Sequence, residues 1–139
     1  MARITDGDTL RLADGRRIRL VQIDAPEREG ECFGRSARDE LSRLARVGST
    51  VELTRDPALD DVDRNGRLLR YVRAADRDVN LELVRLGAAA PYFYRGARGR
   101  HAEALLAAAR QAHAERRGLW GACPAARLAP TRQLAAGSD

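Results

Sequence analysis

The residue types best suited to chemistry occur between Arg19 and Glu27, where the sequence reads Arg-Leu-Val-Gln-Ile-Asp-Ala-Pro-Glu. The apolar residues are typical of a strand, but a proline cannot donate to a sheet ladder, so the strand must end or reach an edge at Pro26. Arg19 therefore lies inside a strand, and the carboxylates of Asp24 and Glu27 lie where the strand opens into a loop. An arginine in this position suits a phosphate.

A separate acidic turn, Asp6-Gly7-Asp8-Thr9, precedes this stretch. Two carboxylates from different turns, here Asp8 and Asp24, suit a hard cation with oxygen ligands. Asp6 is expected only to hold its own turn. Because side chains alternate along a strand, Arg19 and Asp24 would point to opposite faces if the strand were regular. They converge only if the strand bulges or ends between them.

Two other groups of polar residues are possible metal sites. Residues 61–66 match the opening of an EF-hand loop, but Val72 occupies the position where a bidentate glutamate is required, so this interpretation is rejected. The two cysteines and two histidines of the chain do not have the spacing of a zinc site. Cys32 and Cys123 could instead form a disulfide, as in an exported protein, or remain two free buried thiols.

Composition bounds the class of protein. A chain of 139 residues is expected to form one domain. It has no apolar run long enough to span a membrane and no recognisable signal peptide. All 25 basic residues are arginine and the net charge is +5. The absence of lysine fits the codon bias of a GC-rich genome, whereas the positive charge itself favours a nucleic-acid partner.

Hydrophobic periodicity and turn residues predict an α+β domain, with short strands followed by helices. A hairpin turn is expected at Asp14-Gly15. Strands are predicted near residues 10–12, 18–21, 51–53 and 68–72, and helices near 33–45, 80–86 and 100–117. Residues 91–94 are expected to be extended. Residues 123–139, rich in Ala, Pro, Gly and Ser, are predicted to form a disordered tail.

Three of these motifs, in this order and spacing, resemble the staphylococcal nuclease family. They are the Asp-Gly-Asp-Thr turn at 6–9, the Arg-strand-Asp-x-Pro-Glu segment at 19–27, and an acidic loop leading into Gly-Arg at 63–67. The resemblance runs from about Ile4 to Trp120. It implies an OB-fold, a five-stranded Greek-key β-barrel with three helices, over residues 1–122. Relatives have a longer first strand, so either this chain starts late or its barrel is closed by fewer residues.

The resemblance also implies a nuclease that uses Ca²⁺ to cleave DNA and RNA. It places the metal on Asp8, Asp24 and the backbone carbonyl of Ala25. Ala25 departs from the threonine that relatives often carry, which leaves the carbonyl but removes a hydroxyl. Glu27 becomes the candidate general base, because a carboxylate beside the cation can take a proton from the attacking water. Its alternative is a surface charge that pairs with Arg28.

The remaining implied roles concern the substrate. Arg19 and Arg67 would hold the phosphate and stabilise its developing charge. Arg67 would otherwise be an ordinary exposed arginine. Tyr92 and Tyr94 would line the nucleotide site, with core packing as their alternative, and Arg64 would lie near the terminal phosphate. Cleavage on the 5′ side of the phosphodiester, leaving 3′-phosphates, is likewise an implication of the resemblance.

Secreted relatives often carry a cysteine pair, so the resemblance favours a Cys32–Cys123 disulfide in a secreted or cell-surface protein. DNA and RNA are the expected partners of a monomer, with no membrane or protein partner implied. A rival hypothesis is an inert OB-fold module that only binds nucleic acid. Such modules typically lose the acidic and arginine set, whereas this chain keeps Asp8, Arg19, Asp24, Glu27 and Arg67. A purely structural barrel would explain none of these five residues.

Overall fold

The hairpin predicted at Asp14-Gly15 is present, between the strands Thr9–Arg11 and Arg17–Leu20. The carboxylate of Asp14 accepts a hydrogen bond from the backbone of Arg16, and Gly15 adopts the left-handed conformation that the turn requires. The computed structural model describes residues 1–139. The strands are β1 (Arg3–Asp6), β2 (Thr9–Arg11), β3 (Arg17–Leu20), β4 (Ile23–Asp24), β5 (Glu52–Thr54), β6 (Leu68–Ala74), β7 (Arg77–Asp78) and β8 (Ala90–Pro91).

Four helices follow or interrupt these strands: α1 (Gly34–Leu44), α2 (Val79–Arg85), α3 (Ala102–Ala114) and the single-turn α4 (Leu119–Ala122). A 3-10 turn spans Tyr94–Gly96. The three longer helices and the four principal strands confirm the predicted positions within a few residues, and the α+β class is confirmed. No helix has the length and apolar character needed to cross a membrane.

The main sheet has the strand order β1-β2-β3-β6-β5, with β7 paired to β6. Strands β1 to β3 form an antiparallel meander, and β3 then pairs in parallel with β6, with Ile18 opposite Leu68. Strands β4 and β8 form a separate antiparallel pair in which Asp24 lies opposite Ala90. The parallel β3–β6 pair places Arg19 opposite Leu69, two residues after Arg67.

The closed five-stranded barrel is not seen, because the main sheet has six strands and no strand pairing joins β1 to β5. Two hydrogen bonds approach closure: the N-terminal ammonium of Met1 donates to the carbonyl of Ser49, and the carbonyl of Met1 accepts from Gly48, each at 2.7 Å. Both contacts lie outside the two strands. The start of the chain therefore contacts only the residues that precede β5, not β5 itself.

The core lies between the main sheet and the helices that pack against it. Helix α1 buries Ala37 and Leu41, and α2 buries Leu83 and Val84. They belong to the same core as the strand residue Leu10, which is fully buried. Complete burial of such side chains stabilises the fold by roughly 1.5–3 kcal/mol each. This packing fixes the sheet whose edge carries the acidic residues.

Residues 123–139, predicted to be a disordered tail, follow a defined path along the domain in the structure. Cys123, Ala126 and Ala136 are buried, and with Leu119 they form a small cluster of their own. The composition of the segment did not predict this path, because its anchors are a few small buried residues, hydrogen bonds to distant residues and the bond through Cys123.

Candidate active site

The break in the strand after Arg19 brings Arg19 and Asp24 together. Strand β3 ends at Leu20, Gln22 takes a left-handed φ of 67°, and β4 begins at Ile23. The guanidinium of Arg19 donates to the carbonyls of Leu20 and Ile23 at 2.6 and 2.8 Å. Its Nη2 lies 3.2 Å from Oδ1 of Asp24. The two side chains converge because the strand ends between them, one of the two ways the sequence allowed.

Asp8 faces Asp24 across the same guanidinium. Its Oδ2 lies 3.3 Å from Nη2 of Arg19 and accepts the backbone N–H of Ala25 at 2.8 Å. Its Oδ1 accepts the hydroxyl of Thr9 at 2.9 Å. The acidic turn is therefore fastened directly to the end of β4.

The electrostatics of this pair favour a positive ligand. Burial, and then the charge of Asp8, raise the pKa of Asp24 to about 6, although Arg19 and the backbone N–H of Leu134 lower it. Burial is the larger cause, and the negative charge of Asp8 adds to it. A further cation beside Asp24 would lower the cost of ionising this carboxyl group.

An acidic pocket of about 180 Å³ opens beside these residues, and we define it by the carboxylates at its wall. They are Asp6, Asp8, Asp24, Glu27 and Glu31. Asp6 also accepts the backbone N–H of Arg28 at 3.1 Å, so its side chain joins the acidic turn to the loop after Glu27.

Glu27 is exposed at the wall of the acidic pocket, and its side chain makes no hydrogen bond or ion pair with the protein. Its backbone N–H donates to Glu31 at 2.9 Å. The carbonyl of Glu27 lies where a Cβ of Gly34 would be, so only glycine fits there. The backbone is thus held from two sides while the carboxylate remains free, and Arg28 pairs with Glu29 instead.

Arg67 follows the acidic loop and reaches the same site from the other side. Its Nε donates to Oδ2 of Asp63 at 2.7 Å, and its Nη1 lies 3.5 Å from the hydroxyl of Thr9. Oδ1 of Asp63 accepts the backbone N–H groups of Asn65 and Arg67. Burial raises the pKa of Asp63, but these bonds and the Arg67 guanidinium together hold it below its usual range. Asp63 is therefore held in its ionised form, and its carboxylate orients the guanidinium of Arg67.

A larger pocket of about 490 Å³ adjoins the acidic pocket. Arg64, Tyr92 and Tyr94 all line it, as does Arg95. The rings of Tyr92 and Tyr94 are 6.4 Å apart and nearly perpendicular, at 71°. Tyr94 begins a 3-10 turn, so the segment is extended only as far as Phe93, yet both rings still line one pocket. Neither tyrosine is part of the buried core.

Gln22 holds the loop that carries these tyrosines. The backbone carbonyl of Gln22 accepts from Tyr92 at 2.8 Å. Its side-chain amide donates to Ala97 at 3.0 Å and accepts from Gly99 at 2.7 Å. Only 6% of Gln22 is exposed. The residue joins both ends of the loop to the strand break that precedes Asp24.

Sequence reasoning did not identify several residues of this site: Gln22, Glu31, Asp63, Gln133 and Leu134. Asp63 belongs to the 63–67 motif but was assigned no role of its own, although an aspartate two residues before Asn-Gly is typical of a side chain that accepts backbone N–H groups. Gln133 and Leu134 lie more than 100 residues from Asp24 in sequence, and no local pattern links them.

Cys32 and Cys123 are joined in the structure, with their Cα atoms 5.9 Å apart. Cys32 precedes α1 and Cys123 follows α4. The bond ties the beginning of the C-terminal segment to the loop that follows Glu27.

Comparison with known proteins gives consistent matches. The profile of the staphylococcal nuclease homologue family matches residues 17–122. An uncharacterized endonuclease of Escherichia coli is 43% identical over 96 residues, which cover 66% of this chain and 59% of the relative. An uncharacterized endonuclease of Haemophilus influenzae is 35% identical over 124 residues, covering 86% and 64% respectively. Endonuclease YhcR of Bacillus subtilis is 34% identical over 106 residues, 66% of this chain but 8% of that protein.

The chain spans 59% to 64% of the length of the Escherichia coli and Haemophilus influenzae relatives. The family match contains Arg19, Asp24, Glu27 and Arg67 but begins after Asp8. Asp8 therefore enters the site on its geometry, through its contacts with Arg19 and Ala25.

Proposed function

This chain belongs to the staphylococcal nuclease homologue family, and we propose from that premise that it is a metal-dependent nuclease acting on DNA and RNA. One observation carries the proposal. Two arginines, Arg19 and Arg67, line both the acidic pocket and the adjoining larger pocket. A phosphodiester held by both arginines would have carboxylates on one side and the tyrosine-lined pocket on the other.

The residues fit a hard divalent cation in kind. Asp8 and Asp24 offer oxygen ligands only. Burial, and then the charge of Asp8, raise the pKa of Asp24, and a cation bound between the two carboxylates would favour its ionised form. No group of three His, Cys, Asp or Glu side chains is arranged as a ligand set, so the remaining positions fall to the Ala25 carbonyl and water. We propose Ca²⁺, because it accepts an irregular geometry made up of two carboxylates, a backbone carbonyl and waters. When bound, it would supply positive charge to the phosphate and acidify a coordinated water.

The two arginines would hold the non-bridging oxygens of the phosphate. Negative charge gathers on those oxygens as water attacks, and preoriented guanidinium donors stabilise that charge without reorganising. Arg67 is preoriented by Asp63, and Arg19 by two backbone carbonyls. On binding, Arg19 would replace its contacts with Asp8 and Asp24 by contacts with the phosphate. The cation would then neutralise the charge of the two aspartates.

Glu27 is the group proposed to accept a proton from the attacking water. Its exposed carboxylate forms no hydrogen bond with the protein, so it is available to a water at the wall of the acidic pocket. Arg64, Tyr92 and Tyr94 would contact the nucleotide in the larger pocket. Attack opposite the 5′ oxygen would release a 3′-phosphate, as the family resemblance implies.

The rival is an inert module that binds nucleic acid without cleaving it. Cleavage of labelled DNA and RNA by the purified chain, measured beside gel-shift binding of the same oligonucleotides, separates the two hypotheses. We expect products from both substrates in calcium. Binding without any cleavage would favour the inert module and overturn the nuclease proposal.

Two further properties belong to this proposal. The Cys32–Cys123 pair suits an oxidising compartment, so a secreted or cell-surface monomer is proposed. The OB-fold that the family implies is also proposed, supported by the hydrogen bonds of Met1 to Gly48 and Ser49, which link the segments that precede β1 and β5.

A further inference from the structure

The C-terminal segment from Pro130 to Gly137 crosses the wall of the site and is held there by its backbone. Four hydrogen bonds of 2.7 to 3.1 Å share this role, joining Phe93 to Pro130, Leu134 to Asp24, Ala136 to Glu31 and Cys32 to Gly137. Because the anchors lie on both sides of residue 133, the position of that residue is fixed relative to Asp24.

Gln133 lines both pockets, and only two other residues do so, Arg19 and Arg67. These two are the arginines proposed to hold the phosphate. Gln133 is therefore the third residue at the junction where the acidic pocket meets the larger pocket.

The chemistry of the Gln133 side chain suits this place. A primary amide carries two N–H donors and no charge, so it can bind a phosphate oxygen without adding to the charge of the site. The side chain is exposed and makes no hydrogen bond with the protein, so its donors are free. Glu31 and Asp24, by contrast, are already engaged by the backbone of the same segment.

We propose that Gln133 is a further substrate-binding residue, whose amide donates to the phosphodiester held between Arg19 and Arg67. This inference rests on the proposed nuclease function. The C-terminal segment then has two roles at the site, since Leu134 holds Asp24 through its backbone while the preceding side chain contacts the substrate.

The test uses the full chain with three substitutions: Gln133→Ala, Gln133→Glu and Thr131→Glu. Thr131→Glu is the control, because it adds the same charge to the same segment at an exposed position that lines neither pocket. Calorimetry with a nucleoside 3′,5′-bisphosphate in calcium measures binding, and single-turnover cleavage of labelled DNA measures rate. Thermal melting checks that each variant is folded.

We expect Gln133→Ala to weaken nucleotide binding roughly tenfold, the range of one hydrogen bond to a charged group. Gln133→Glu should weaken it further by repulsion, and Thr131→Glu should stay within about twofold of the parent. Unchanged binding in both Gln133 variants would overturn the inference. Tighter binding with faster cleavage would also overturn it, because the side chain would then obstruct the substrate.

Failure of the nuclease proposal gives a different pattern. In that case the parent does not cleave at all, and the calorimetric comparison alone decides on Gln133. If the parent cleaves and the Gln133 variants bind and cleave like it, the nuclease proposal stands and the inference about Gln133 falls.

Discussion

The backbone N–H of Leu134 donates to Oδ2 of Asp24 at 2.7 Å, although 110 positions separate the two residues. Arg19 approaches the other oxygen of the same carboxylate at 3.2 Å. Both oxygens of Asp24 therefore have fixed partners before any ligand arrives. The orientation of this carboxylate depends on the C-terminal segment as well as on its own strand.

The pH dependence of stability should report on Asp24. Its pKa of about 6 lies above the ordinary 3.8, so the folded, metal-free protein holds this proton more tightly than the unfolded chain. The proton bound to Asp24 stabilises the folded state fully when the pH is below the ordinary pKa of 3.8, and this stabilisation is lost as the pH rises through about 6. Between about pH 4 and 7, the stability of Asp24→Asn should therefore rise relative to the parent. Chemical denaturation with chelator at several pH values measures this, and a constant difference would contradict it.

Arg67→Ala should lower the cleavage rate more than it weakens a ground-state nucleotide, by roughly 10²–10³-fold for one donor to developing charge. Arg67→Lys should not rescue fully, because an ammonium cannot offer two parallel donors. Single-turnover kinetics beside calorimetry separates rate from binding. Arg73→Ala is the control, since it removes an exposed arginine that lines neither pocket. Equal rates in Arg67→Ala and the control would remove Arg67 from the reaction.

Gln22→Asn should loosen the tyrosine loop and weaken nucleotide binding while leaving the catalytic rate of bound substrate nearly unchanged. Asparagine tolerates the left-handed backbone but is one methylene too short to bridge Ala97 and Gly99. The measurement is the split between KM and kcat. Leu83→Ala controls for general destabilisation, because it leaves a cavity in the core and lowers the free energy of unfolding by roughly 2–5 kcal/mol. The same KM in both variants would argue against a positioning role.

Removal of the cysteine pair should destabilise the protein. A crosslink across 91 residues is worth roughly 4–5 kcal/mol in the chain-entropy model, less any strain. Denaturation of the Cys32→Ser/Cys123→Ser double variant against the oxidised parent measures the loss. Mass spectrometry without reductant supplies the control, and two free thiols in protein from an oxidising compartment would contradict the bond and weaken the secreted assignment.

Local patterns predicted the parts of this structure that depend on neighbouring residues. The turn at Asp14-Gly15 and the helices over α1 and α3 follow from turn chemistry and apolar periodicity. The grouping of Asp8, Arg19 and Asp24 was predicted from the family motifs, and the strand break that allows it was one of two possibilities.

Contacts between distant segments could not be predicted in the same way. Gln22 reaches Gly99 and Leu134 reaches Asp24 through single hydrogen bonds that leave no periodic trace in the sequence. The abundance of Ala, Pro, Gly and Ser in residues 123–139 predicted a disordered tail. In this segment, backbone hydrogen bonds, the Cys123 bond and the burial of Ala126 and Ala136 supply the anchors.

Single-turnover cleavage of labelled DNA by the parent and by Glu27→Gln, first in calcium and then in excess EGTA, tests the central claim most directly. We predict that the parent cleaves in calcium, stops in EGTA and recovers when calcium is restored. Glu27→Gln should be slower by roughly 10²–10⁴-fold in calcium, the range of a general base. Full cleavage by the parent in EGTA, or equal rates for the two proteins in calcium, would contradict the proposed mechanism.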